Sequence, residues 1–97
     1  MKEILLEPLV GAFAENKDKA REIRLEQIIP NIESGNEIIL DFEGIDSATQ
    51  SFIHALISDP IRKYGDEVLD KILFKNCTNE VKKVIEIVVD YMRESLS

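Results

Sequence analysis

The sequence predicts a small α/β fold: one domain over residues 1–97, built β-α-β-α-β-α around a short, mainly parallel sheet with packed helices. Three observations carry this prediction. Aliphatic runs of strand length recur at Ile4-Leu5-Leu6, Ile38-Ile39-Leu40 and Ile72-Leu73-Phe74. Longer stretches of helical periodicity lie between them and after the last. Turn residues separate the two kinds of segment: Pro8, Gly35-Asn36, Glu43-Gly44, Gly65 and Asn76. Strands that alternate with helices pair in parallel through right-handed crossovers.

The first strand spans Glu3 to Leu6 and ends at Pro8, which cannot donate to a ladder. Leu9 to Lys17 is a connection broken by Gly11, with Phe13 expected to plug the core. Asp18 to Ser34 is the first helix. Leu25, Ile28, Ile29 and Ile32 form its stripe at i, i+3, i+4 and i+7, and Ala20 and Ile23 lie off it. Pro30 removes one helical hydrogen bond and disfavours helical geometry at Ile29, so a kink or a break is expected there. Ser34-Gly35-Asn36 stops the helix.

The chain is organised around Glu37 to Ile57. Ile38 to Phe42 is apolar except for Asp41 and suits a strand buried on both faces. Ser47-Ala48-Thr49-Gln50 fits a capping box, and Thr49 is an equally good N-cap. A helix follows to roughly Lys63. Phe52, Ile53, Leu56, Ile57 and Pro60 occupy one face; Ser51, His54, Ala55, Ser58 and Arg62 occupy the other. Pro60 is expected to bend or end it, and Tyr64-Gly65-Asp66 to close it. Leu69 to Lys75 holds the third strand. Thr78 caps the last helix, Asn79 to about Ser95. Its apolar residues cover an arc of about 200°, where packing on one sheet face needs little more than 100°. Either a neighbouring helix or a second copy or partner protein covers the remainder.

Composition narrows the function. A net charge of −7 argues against a phosphate-backbone partner, because non-specific nucleic-acid affinity comes from basic patches. An apolar content of 44% with 32% charged residues suits a globular protein, and no run approaches the ~18 apolar residues of a membrane span. Acids interrupt the apolar patch of Met1 to Glu7, so no signal peptide is expected. Cys77 has no second cysteine to pair with, and a cytoplasmic location follows by default.

No cofactor or metal chemistry is legible. One His and one Cys cannot make a structural zinc site. The four glycines stand apart, so no phosphate loop of the Gly-rich kinds exists. A Ser-His-acid set can be drawn from Ser51, His54 and Asp41, since Ser51 and His54 are three apart on a helix. Nothing beyond the helix end supplies an oxyanion hole, and a non-catalytic protein is expected.

Residues 39–52, Ile-Leu-Asp-Phe-Glu-Gly-Ile-Asp-Ser-Ala-Thr-Gln-Ser-Phe, resemble the signature of STAS domains, which occur in sulfate transporters and anti-sigma factor antagonists. The chain is more similar to the prokaryotic STAS-like domain family of unassigned function. Lys19-Ala-Arg-Glu-Ile-Arg24 and Leu73-Phe-Lys-Asn76 add to that likeness, which covers about Gly11 to Met92. In the antagonists, the strand's Asp is followed eight to eleven residues later by Asp-Ser-Ser-Gly, whose second Ser accepts phosphate from a partner kinase. Counting from Asp41, Ser51 matches that Ser. Thr49 stands for the Asp, Gln50 for the first Ser and Phe52 for the Gly, so the chain departs from the motif at three of four positions.

The resemblance implies a non-catalytic regulatory protein-interaction module. Its partner would be a histidine-kinase-type ATPase or an anti-sigma factor. Docking would occupy the start of the second helix, through Asp41, Asp46, Ser47, Thr49, Ser51, His54, Ala55 and Ser58, with Ser51 as candidate phosphoacceptor. The alternative is an assembly subunit that forms a homodimer through the apolar last helix. Neither nucleic acid nor membrane is expected as a partner.

Overall fold

The computed structural model describes residues 1–96. Its elements, in order, are β1 (Lys2–Leu5), α1 (Glu7–Val10), β2 (Phe13–Ala14), α2 (Lys17–Ile23), a π-helical segment (Arg24–Ile28), α3 (Ile29–Glu33), β3 (Ile38–Asp41), β4 (Ser47–Ala48), α4 (Gln50–Tyr64), a 3₁₀ segment (Asp66–Lys71), β5 (Ile72–Lys75) and α5 (Asn79–Leu96). The mixed α/β architecture is consistent with a STAS-like fold. Three parallel strands form the main sheet in the order β1-β3-β5, and β2 pairs with β4 in a parallel ribbon of two residues each.

Burial alternates along the main sheet. Ile4, Ile38, Leu40 and Ile72 are buried in the core beneath the helices. Their neighbours Leu5 and Leu73 point to the opposite face and stay exposed. The edge strands are therefore open on one side, whereas the central strand is buried at Ile38, Leu40 and Asp41 and part-exposed only at Ile39. With sequential strands side by side and right-handed crossovers, α2 and α4 fall on the same face, which leaves the other open. The third strand is also shorter than expected, because Asp66–Lys71 winds as a 3₁₀ segment.

The first helix differs most from its sequence pattern. Ala20, Ile23, Ile28 and Ile32 are buried, while Leu25 is half exposed. Ile23 and Ile28 are five residues apart, too far for one face of an α-helix. The π segment takes up the extra residue: Ile29 N–H bonds to the carbonyl of Arg24, an i→i−5 step. Pro30 follows immediately and has no N–H to give, so the wide turn replaces the expected kink.

In contrast, α4 runs through Pro60 and ends at Gly65, whose φ is +79° and whose N–H reaches Ile61 O at 2.7 Å. It packs against both α2 and α5. Phe13, expected in the core, is exposed on β2, where Ala14 takes the buried position.

Candidate functional site

The carboxyl ends of β1, β3 and β5 meet at one rim, where ligands gather in open parallel sheets. Asp41 ends β3 there. Its Oδ1 accepts the Glu43 N–H at 2.9 Å and the Asn76 side-chain amide at 3.0 Å. Those donors, Asn76 first, hold the carboxyl below its ordinary value against the opposing effect of burial; Lys75 adds to the lowering. Asn76 sits at φ +58°, a left-handed conformation that Asn tolerates. Thr78 then accepts the Val81 N–H at 3.2 Å as cap of α5, and donates its hydroxyl to Asp46 O at 3.0 Å. The loops after β3 and β5 are thus tied together in two places.

Thr49 caps α4. Its hydroxyl accepts the Phe52 N–H at 3.1 Å, and its own N–H bonds to Ala14 O in the β2–β4 ribbon. Ser47 therefore serves as a ribbon residue, opposite Phe13, and not as the cap. The ribbon fixes where α4 starts, so Gln50 and Ser51 open its exposed first turn.

Between that turn and the second half of α5 runs a groove of about 540 Å³, lined by Lys17, Gln50, Ser51, His54, Ala55, Ile87, Val88 and Tyr91. The His54 and Tyr91 rings face each other at 6.4 Å between centroids, inclined by 59°. Ile87 is 51% exposed and Tyr91 60%, so these two are what α4 leaves uncovered of the broad apolar arc of α5.

Of the eight positions proposed for docking, Ser51, His54 and Ala55 come together in the groove. Asp46, Ser47 and Thr49 precede α4 in the loop, ribbon and cap that lead into its first turn, and none of them lines the groove. Asp41 and Ser58 correct the expectation: each is only 3% exposed, beneath the surface and not on it. Asp41 is drawn in by its two donors, and Ser58 by the packing of α4 on two helices. Asp41 is not part of the groove, so the Ser51, His54 and Asp41 set is not assembled.

Ala55 has a further role. Its carbonyl accepts Arg24 Nη1 at 2.9 Å, and Arg24 Nη2 lies 3.3 Å from Asp59, which ties the π segment to α4. Lys17, Gln50, Ile87, Val88 and Tyr91 were not singled out as site residues from the sequence. The width of the apolar arc on the last helix was the available signal for Ile87 and Tyr91.

Among the described residues, no three His, Cys, Asp or Glu side chains gather to hold a metal ion. Among the same residues, no helix is long and apolar enough to cross a membrane. Burial raises the Cys77 thiol above its ordinary value.

A family model described as a STAS-like domain of unknown function (DUF4325) matches residues 19–82. The chain belongs to this family. No curated protein and no solved structure matches it. The STAS-like match runs from α2 to the first turn of α5 and takes in Ser51 and His54, while Ile87 and Tyr91 lie beyond it.

Proposed function

We propose that this STAS-like protein is a non-catalytic regulatory module that docks a protein partner in the α4–α5 groove and releases it when Ser51 is phosphorylated. The observation that carries the reading is the sharing of one groove by exposed Ser51 and the uncovered Ile87 and Tyr91. Covering the exposed parts of those two side chains gains about 1 kcal/mol each by area. A partner helix or loop laid there also covers the first turn of α4.

A phosphate on Ser51 adds about −1.5 to −2 charge at that turn. The helix dipole favours it by at most about 1 kcal/mol. Lys17, on the groove wall, favours it too. A partner that buries the site must strip water from the new charge, which costs more than these terms return. Phosphorylation therefore acts as a release signal. Family likeness supports a histidine-kinase-type ATPase or anti-sigma-like protein as the partner.

Co-purification from the native host tests the reading. Wild type and Ser51→Ala retain an ATPase of this type, and Ser51→Glu and Ile87→Glu lose it. Equal recovery by all four proteins overturns it. The competing assembly role, a homodimer through α5, draws on the same exposed Ile87 and Tyr91. It requires a wild-type dimer that Ile87→Glu splits, which light scattering reads directly.

A further inference from the structure

The α4–α5 groove carries a charge pattern that its apolar residues do not explain. The chain has 19 acidic and 12 basic side chains, yet no acid lines the groove. Lys17 and His54 do. Asp18, Glu86 and Asp90 each adjoin a lining residue in sequence, and all three stand outside the lining. A basic centre is thus set in an acidic chain.

Lys17 is also unpaired. Lys19, Arg24, Lys63 and Arg93 each hold a carboxylate at 3.1–3.5 Å. Lys17 is exposed, and among the described residues it forms no such pair. Water serves its charge while the groove is open. A partner that covers Ile87 and Tyr91 takes part of that water away, and an ammonium that loses water without meeting an opposite charge is costly. An acid on the partner removes that cost and adds a charge-assisted hydrogen bond. A segment acidic throughout would meet Asp18, Glu86 and Asp90 beside the groove, and like charges repel. The complementary segment is therefore apolar, with one acid at its centre.

We infer that the partner segment docked in the α4–α5 groove carries a single Asp or Glu between large apolar side chains and sets that carboxylate against Lys17. This chemistry rests on the docking reading and specifies its partner. The apolar side chains cover Ile87 and Tyr91 on α5. The carboxylate meets α2, where Lys17 stands, and so fixes which way the segment lies. A phosphate on Ser51 enters the same groove, draws on the Lys17 charge and repels the partner's acid.

Selection from a random linear peptide library displayed against the full chain tests it. Peptides that bind wild type and not Ile87→Glu are groove ligands, and these should carry Asp or Glu beside a large apolar residue. Lys17 is exposed and opens α2, where an acid suits the helix's positive end, so Lys17→Glu should fold, as circular dichroism checks. Lys17→Glu should bind the selected peptides about tenfold more weakly or worse, and Lys17→Arg should stay within about threefold of wild type. Changing the peptide's acid to Lys should reverse the order, so that Lys17→Glu binds it better than wild type does. Lys2→Glu makes the same change of net charge on β1, away from the groove, and should bind as wild type does. Groove peptides that lack an acid, or that bind Lys17→Glu as well as wild type, overturn this proposal and leave the docking reading standing. If no peptide distinguishes wild type from Ile87→Glu, the docking reading falls and this proposal falls with it.

Discussion

Asp41 at the end of β3 accepts the side-chain amide of Asn76, which stands just after β5, at 3.0 Å. With the Glu43 N–H on the same oxygen, this bond joins the two loops that form the rim. It also lowers the carboxyl from its reference value of 3.8. A group whose pKa falls on folding contributes stability that is present above its unfolded value and is lost as pH drops through its folded value. Asp41→Asn should therefore be less stable than wild type at neutral pH, and the gap should close below pH 3.8. Denaturant titrations of both proteins across the acid range check this; a gap that persists at low pH contradicts it.

Gly44 and Gly65 both take positive φ, at +86° and +79°. A Cβ at Gly44 would also stand 3.1 Å from Glu7 Cγ, whereas one at Gly65 meets nothing within 4 Å. Gly65 combines its positive φ with a ψ of −172°, a region that only glycine populates readily, so Gly65→Ala should cost ~1–3 kcal/mol although its Cβ has room. Gly44→Ala should cost about 1 kcal/mol for the backbone plus the crowding against Glu7. Chemical denaturation measures both losses; a neutral Gly65→Ala would contradict the backbone argument.

The one-sided sheet makes a similar contrast. Leu40 is fully buried on the helix side, and Leu73 is half exposed on the open side. Leu40→Ala should cost about 2–5 kcal/mol, as buried Leu deletions do. Leu73→Ala should cost under about 1 kcal/mol in the monomer. Equal losses would mean that both faces are covered within one chain.

The π segment makes a prediction about chain length. Deleting Leu25, an exposed residue within the wide turn, should convert Arg24–Ile28 to ordinary α-helix and set Ile23 and the present Ile28 four apart on one face. That deletion should fold with a two-state transition close to wild type. Deleting Glu22, in the α-helical part, should shift Ala20 relative to Ile23 and cost several kcal/mol, on the order of a lost core residue. Thermal melts separate the two.

The main elements were legible because their signals are long or strongly patterned. The apolar run Ile38–Leu40, the amphipathic face Phe52–Ile57 and the aliphatic last helix each repeat their message over several residues. What escaped is carried by few atoms. The β2–β4 ribbon has two residues per strand and leaves no periodicity to find. The burial of Ile28 with Ile23 depends on one inserted residue beside Pro30, which reads as a kink in sequence and forms a π turn in space. Exposure of Leu73 follows from which face the crossovers cover, and the run Ile72-Leu73-Phe74 does not encode that. At the site, Ser51 and His54 could be grouped by helical spacing. Tyr91 and Ile87 come from a helix some thirty residues on, and only the packing of α5 on α4 brings them in.

Photocrosslinking from the groove tests the docking claim most directly. A photoreactive phenylalanine analogue at position Tyr91, in the native host, should form an adduct with a histidine-kinase-type ATPase or anti-sigma-like protein. The adduct should vanish when Ser51→Glu is combined with it, and should not form from the same analogue at Leu25 on the exposed side of the first helix. If the two positions capture the same proteins, or if Ser51→Glu leaves the Tyr91 adduct unchanged, the groove is not the docking site.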